Sequence, residues 1–200
     1  ISRIWRLEKL LLNKAEQKSS VLYLLNSSHS EVFGKWIKNK FKARESTFIL
    51  LVGSENGSTF RFANAIQKQL IENGQKVFIS ELNKFTVYPK AEHIVVFTST
   101  HGLGDSPSNG TQFKTLIEKQ NQEQRINFSV VGFGSKSYPD FCQFAIEIDQ
   151  LLGKQNWADR YLDLKTVNDK SAVEFVEWVK LWSEKTGIPL TTTPSLYNHI

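Results

Sequence analysis

Three hydroxyls and two glycines crowd into the seven residues Gly53-Ser54-Glu55-Asn56-Gly57-Ser58-Thr59. The apolar run Phe48–Val52 precedes them. From Thr59 on, Phe60, Ala63, Ile66, Gln67 and Leu70 recur at helical spacing. A buried strand, a tight turn and a helix start in that order aim unpaired backbone N–H groups and the positive end of the helix dipole at one point. That point suits a phosphate. No Lys follows the second glycine, so this is not the triphosphate loop GxxxxGK[ST], and the GxGxxG spacing of dinucleotide binders is absent too. With no fixed positive charge in the loop, a phosphomonoester held by hydroxyls and N–H groups fits better than a triphosphate with its metal. The plainer alternative is a turn whose Ser and Thr only cap the helix.

Two further loops are rich in glycine and each carries one ring. One is Ser99-Thr100-His101-Gly102-Leu103-Gly104-Asp105-Ser106-Pro107-Ser108-Asn109-Gly110. The other is Gly132-Phe133-Gly134-Ser135-Lys136-Ser137-Tyr138-Pro139-Asp140-Phe141-Cys142. A phosphate at one end and the rings of His101 and Tyr138 at the other describe a phosphorylated planar heterocycle, and FMN is the obvious candidate. Taken singly, each signal has a plain alternative. His101 reads equally as a satisfied loop histidine, Tyr138 as a packing ring, Asp105 as a turn residue. Cys142 reads as a small core residue, because it is the one cysteine and has no redox partner. His29, His93 and His199 lack metal-ligand spacing, and no Ser/His/Asp or Cys/His set presents itself, so no catalytic or metal residue is assigned.

Position decides between these readings. Short apolar strands are expected at Phe48–Val52, Lys76–Glu81, His93–Thr98, Asn127–Val131 and Trp157–Leu164. Helices are expected from Thr59 to Asn73-Gly74, over Thr111–Gln120, over Phe141–Leu152 closed by Gly153, and over Lys170–Lys185 with Val173, Val176, Trp178, Val179 and Trp182 on its apolar face. The segment Leu82–Ala91 is irregular or one helical turn. Alternating strands and helices specify an α/β fold, a doubly wound parallel sheet of five strands. Ligands of such sheets sit beyond the carboxyl ends of the strands. The three unusual loops follow strands one, three and four, at that edge.

At 200 residues, 40% hydrophobic and 12% aromatic, the chain can build one domain with an appendage. Residues 47–187 read as the domain and residues 188–200 as a linker leaving it. Residues 1–46 read as a helical extension, with one helix over Ile1–Lys18 and another from Ser28 to about Phe41. Those 46 residues hold ten basic side chains against four acidic ones, a balance of +6, which leaves −1 of the overall +5 for the rest. Such a leader suits a membrane surface or an acidic partner. Nucleic acid is not expected, since no basic stripe carries interleaved aromatics. No run of 18 apolar residues exists and there is no secretory signal, so the reading is a cytoplasmic protein that meets a membrane only at its surface. The chain begins at Ile1 and contains no Met, so it reads as a piece of a longer protein.

The motif GSENGST ahead of a helix, then STHGLGD-x-P-x-NG-x-x-F, then GFGS-x-x-YP-x-FC, resembles the FMN-binding flavodoxin-like domain of the diflavin reductases. These include NADPH–cytochrome reductase, the sulfite reductase flavoprotein and the reductase half of nitric-oxide synthase. The likeness covers roughly Thr47 to Gly187. It implies strand order 2-1-3-4-5 and FMN as cofactor. It places the phosphate on Ser54, Glu55, Asn56, Gly57, Ser58 and Thr59, and the ring between His101 and Tyr138. Peptides around Thr100 to Gly104 and Gly134 to Tyr138 would contact the ring edge, and Ser99, Thr100, Gly102, Leu103, Gly104, Gly132, Phe133, Gly134, Ser135, Phe141 and Asp169 count among the cofactor-binding residues. The Gly102 peptide is the one whose carbonyl turns toward flavin N5 when that atom gains a proton. The family's FMN domain takes electrons from an FAD/NADPH module and passes them singly to an acceptor protein, so this chain is not expected to oxidise NADPH by itself. A quinone reductase acting directly on small molecules and a flavin-free interaction module are the alternatives. Three departures stand out. His101 replaces the usual Tyr or Phe, Leu103 replaces a polar residue, and Thr166-Val167-Asn168 precedes Asp169 where acids are common. Fewer acids beside the ring predict an easier second reduction.

Overall fold

The computed structural model describes residues 39–198. The helices expected ahead of Asn39 lie outside these residues, and Asn39–Lys42 is irregular.

Strand β1 (Phe48–Gly53) is buried at every position, as a strand covered on both faces must be. It pairs in parallel with β2 (Val77–Glu81) on one side and β3 (His93–Ser99) on the other, with Phe48 opposite both Val77 and His93. Strand β4 (Ile126–Gly134) lies beyond β3, and its outer edge carries β5 (Ala158–Arg160) and then β6 (Lys165–Asn168). The order is β2-β1-β3-β4-β5, with β6 also on β4.

Two strand expectations change. Strand β4 runs on through Gly132, Phe133 and Gly134, because β3 and β6 pair with it that far. The single strand expected over Trp157–Leu164 is two short ones. After the Tyr161 N–H bonds Phe128 O at 2.8 Å, the chain leaves the ladder and rejoins it at Lys165.

Helices cover both faces. Alternate residues Ile49, Leu51, Ile94, Val96, Phe128 and Val130 pack with α2 (Phe113–Lys119) and α3 (Gln143–Gly153). On the other face Phe62 of α1 (Ser58–Glu72) and Phe175 of α4 (Ala172–Thr186) meet Phe133, while Trp178 meets Phe97 and Trp182 meets Phe48. Helix α4 starts where the Ser171 hydroxyl accepts the Glu174 N–H at 3.3 Å. Its buried stripe is Ala172, Phe175, Trp178, Val179 and Trp182. Val173, expected on that stripe, faces water at 61% exposure, because it lies a residue off the i, i+3, i+7 row.

The stretch expected to leave as a linker folds back onto the domain. Gly187 ends α4 with φ 72, and the Ser183 hydroxyl then bonds Ile188 O at 2.7 Å. The Asn73 side-chain amide donates to Pro189 O at 3.0 Å. Tyr197, in the last short helix α5 (Ser195–Asn198), is 2% exposed; its hydroxyl accepts from Gln69 at 3.0 Å and donates to Thr191 O at 2.8 Å.

At the amino edge of the sheet the His93 ring stacks on Phe48 with centroids 5.0 Å apart, and Tyr161 and Trp182 meet it edge-on. Burial pushes its imidazole down to about 4. A depressed pKa favours the neutral ring in the fold, so this stability is fully present above about 6.5, the ordinary histidine value, and is lost as pH falls toward 4. Acid unfolding between these values should therefore carry a loss on the order of 2 kcal/mol, discounted for the ring's partial exposure. His93→Phe should flatten that part of the stability–pH curve in urea titrations, whereas an unchanged slope would remove His93 as its cause.

Candidate functional site

The turn after β1 is held from outside. The Ser54 N–H donates to the Asn109 side-chain oxygen at 2.9 Å, and the Asn109 amide donates to Val52 O at 3.2 Å. The Glu55 carboxylate accepts the Ser108 N–H at 2.7 Å. Within the turn, the buried Ser54 hydroxyl accepts the Thr59 N–H at 3.3 Å, and Gly57 stands ahead of α1 with φ 74. Asn56 and Ser58 line a cleft of about 500 Å³ in front of this helix start. The Thr59 hydroxyl is buried and has no hydrogen-bond partner.

The loop after β3 closes into a small hairpin. His101 and Asp105 exchange backbone hydrogen bonds of 2.9 and 2.7 Å around Gly102, Leu103 and Gly104. Gly104 (φ 94) lets this hairpin lie on the next loop: a Cβ there would sit 3.1 Å from Asp140 Cβ. Ser99, Thr100, His101 and Gly102 line the cleft, and the Thr100 hydroxyl oxygen is buried without a partner. Leu103 does not line it. At 79% exposure it borders a neighbouring hollow of about 310 Å³ that holds the Lys114–Glu147 ion pair.

The third loop starts later than expected. Gly132 is buried in β4 under α3, where a Cβ would come within 2.5 Å of Ala145 Cβ. Phe133, Gly134, Ser135, Tyr138 and Phe141 line the cleft, with Tyr138 60% exposed. His101 and Tyr138 therefore belong to one cavity. Cys142 also lines it, left-handed at φ 55 just ahead of α3, and so the helix begins at Gln143 rather than Phe141. Burial pushes its thiol up to about 11, which keeps it protonated and unreactive.

A fourth segment completes the wall. The Asp169 N–H donates to Gly134 O at 2.8 Å, and the Asn168 side chain accepts the Lys136 N–H at 2.8 Å. Asp169 and Lys170, the latter not anticipated, both line the cleft. Among the described residues, the non-glycine residues with positive φ are Cys142, Asp169 and Lys170, and all three line this cleft. Such strain persists only where surrounding bonds over-determine it. No group of His, Cys, Asp and Glu able to hold a metal occurs among the described residues.

Asn109 is the clearest residue that sequence reasoning passed over. Its sequence signal is the Asn-Gly pair within the second motif, which names no partner, and its partners lie 55 and 57 residues away. Asn109→Ala would leave the buried Ser54 N–H without a partner, at about 1–3 kcal/mol, and would remove a bond to Val52 O. Urea unfolding should show a loss of about 2–3 kcal/mol. A loss below about 0.5 kcal/mol would show that the tie is dispensable.

The model of the family described as Flavodoxin matches residues 50–182. The chain is similar to inducible nitric oxide synthase of Gallus gallus, 32% identical over 74% of this chain and 11% of that protein. It is also similar to the sulfite reductase [NADPH] flavoprotein alpha-component of Bacillus subtilis, 31% identical over 65% of this chain. The chain thus spans only 11% and 22% of these two relatives. Among solved structures, oxidised flavodoxin 1 of Bacillus cereus superposes with a TM-score of 0.59 at 16% identity, covering 70% of this chain and 97% of that one. With a family model over residues 50–182, and the strand order and cleft described above, this chain belongs to the flavodoxin family.

Proposed function

We propose that the cleft binds FMN, and that the domain relays single electrons between a reductase module and an acceptor protein. The observation that carries this reading is the convergence of three loops on one cavity of about 500 Å³, lined by Ser58 at the start of α1, by Thr100 and His101 of the second loop and by Tyr138 of the third. The buried Thr100 hydroxyl, on the cleft and without a partner, supplies a donor of the kind the cofactor's oxygens need, and the Thr59 hydroxyl at the start of α1 is likewise without one. The first-turn N–H groups of α1, with Ser58 and Thr59, would hold the phosphate at the helix start. Thr100 and the backbones of the second and third loops would hold the ring's polar edge, and His101 and Tyr138 would cover its faces. FMN, when bound, supplies a centre that accepts electrons singly or in pairs. The protein's own part is to bind it, orient it and keep one edge near solvent.

The electron source we place in an NADPH- and FAD-binding module, in the same or a separate chain. The acceptor is a second redox protein, and the basic segment Ile1–Ser46 would add affinity for an anionic membrane surface. Among the described residues no helix is long and apolar enough to cross a membrane.

Titration of the protein with FMN should quench flavin fluorescence at a one-to-one ratio. NADPH alone should leave the bound flavin yellow, while dithionite should bleach it. Absence of binding would sink the proposal. Rapid bleaching by NADPH without a partner would favour direct reduction of small molecules instead.

A further inference from the structure

The turn that follows β6 is fixed from several sides. The Asn168 N–H donates to the Glu174 carboxylate at 2.6 Å, and its carbonyl accepts the Ser171 N–H at 2.8 Å. With the Asp169 and Asn168 bonds to the third loop, this holds Asp169 at φ 45 and Lys170 at φ 58. Lys170 is exposed and lines the cleft. The two other lysines of this corner are engaged with carboxylates: Lys136 lies 3.9 Å from Glu174, and Lys165 pairs with Glu177. Lys170 has no ion pair within 4.0 Å among the described residues, so its charge is not spent on a fixed partner.

Sheet order says which end of the cleft feels that charge. Strand β6 pairs with β4, β4 with β3, and β3 with β1, whose turn is the phosphate candidate. Three strand spacings put Lys170 about 14 Å across the sheet from that turn, on the Tyr138 side. That is nearer the loop that carries Tyr138 than the phosphate turn.

Taking up two electrons and one proton leaves a flavin ring with one negative charge, and nearby charge tunes how readily this happens. We infer that Lys170 sets the potential of the second electron, its ammonium favouring the anionic reduced ring against the carboxylates of Asp140 and Asp169 on the same cleft. This rests on the FMN reading above. It adds a cause for an easier second reduction that lies in a cation on the cleft, where the acids Glu55, Asp140 and Asp169 also stand.

The test is spectroelectrochemical titration of the FMN-loaded full chain, as wild type and as Lys170→Arg, Lys170→Asn and Lys170→Glu. Asn tolerates left-handed backbone, so it removes the charge without straining the turn. Arg should match the wild type. Asn should lower the equilibrium constant for the second electron about three- to tenfold, and Glu should lower it further, at about 59 mV per tenfold change. The first step, which adds an electron together with a proton, should move little. The differences should shrink in high salt. Second-step potentials that stay put in both Asn and Glu variants, with FMN bound, would overturn this inference alone, whatever their melting temperatures. A wild type that binds no FMN would overturn it together with the reading beneath it.

Discussion

Gly53, Thr98 and Gly132 stand side by side across three parallel strands. That register is the constraint from which the site follows. Each of these strands is buried on both faces, so a slip by one residue would turn every core side chain to the wrong helix layer. Because the register cannot slip, the three strands deliver their loops at one height. The phosphate turn, the His101 hairpin and the Tyr138 loop then have no choice but to meet.

Meeting is not the same as being fixed, and the loops are fixed mostly by one another. Asn109 ties the first turn to the second loop, Asp140 receives the hairpin at Gly104, and Asn168 and Asp169 tie the third loop to the turn after β6. The first and last of these ties are side-chain-to-backbone and backbone bonds between distant segments and the middle one is close packing, so the wall of the cleft is a linked series of four segments. Left-handed Cys142, Asp169 and Lys170 persist inside it because their neighbours leave no cheaper arrangement.

How much of this is legible in the sequence depends on the range of the signal. Phe48–Val52 and His93–Thr98 announce themselves, since a short continuous apolar run bounded by glycine or polar turns has few other uses. The three loops are legible as well, by glycine content and by position after a strand. Strand β4 reads too short because its last residues, Gly132-Phe133-Gly134, carry loop-like glycines; only pairing with β3 and β6 makes them strand. The split between β5 and β6 is hidden by hydrophobic residues such as Leu164 that pack on the core outside the ladder. Val173 lies a single step around the helix from the buried stripe, a difference too small for spacing alone to resolve. Asn109 owes its role to partners more than fifty positions away, and the turn that brings Lys170 to the cleft is tied to Gly134 and Lys136, which local pattern cannot reveal.

The return of residues 188–198 also fixes a point of attachment. Tyr197 is anchored to Gln69, eleven residues into α1 from its first position, so the anchor sits about 16 Å along the helix from the phosphate end. Any polypeptide joined beyond Asn198 would be leashed from there, toward the amino side of the sheet. The eleven pinned residues would add nothing to its length, which would otherwise gain about 35 Å when stretched. A leash so placed would let the molecule pivot while the mouth of the cleft stays open to whatever approaches it.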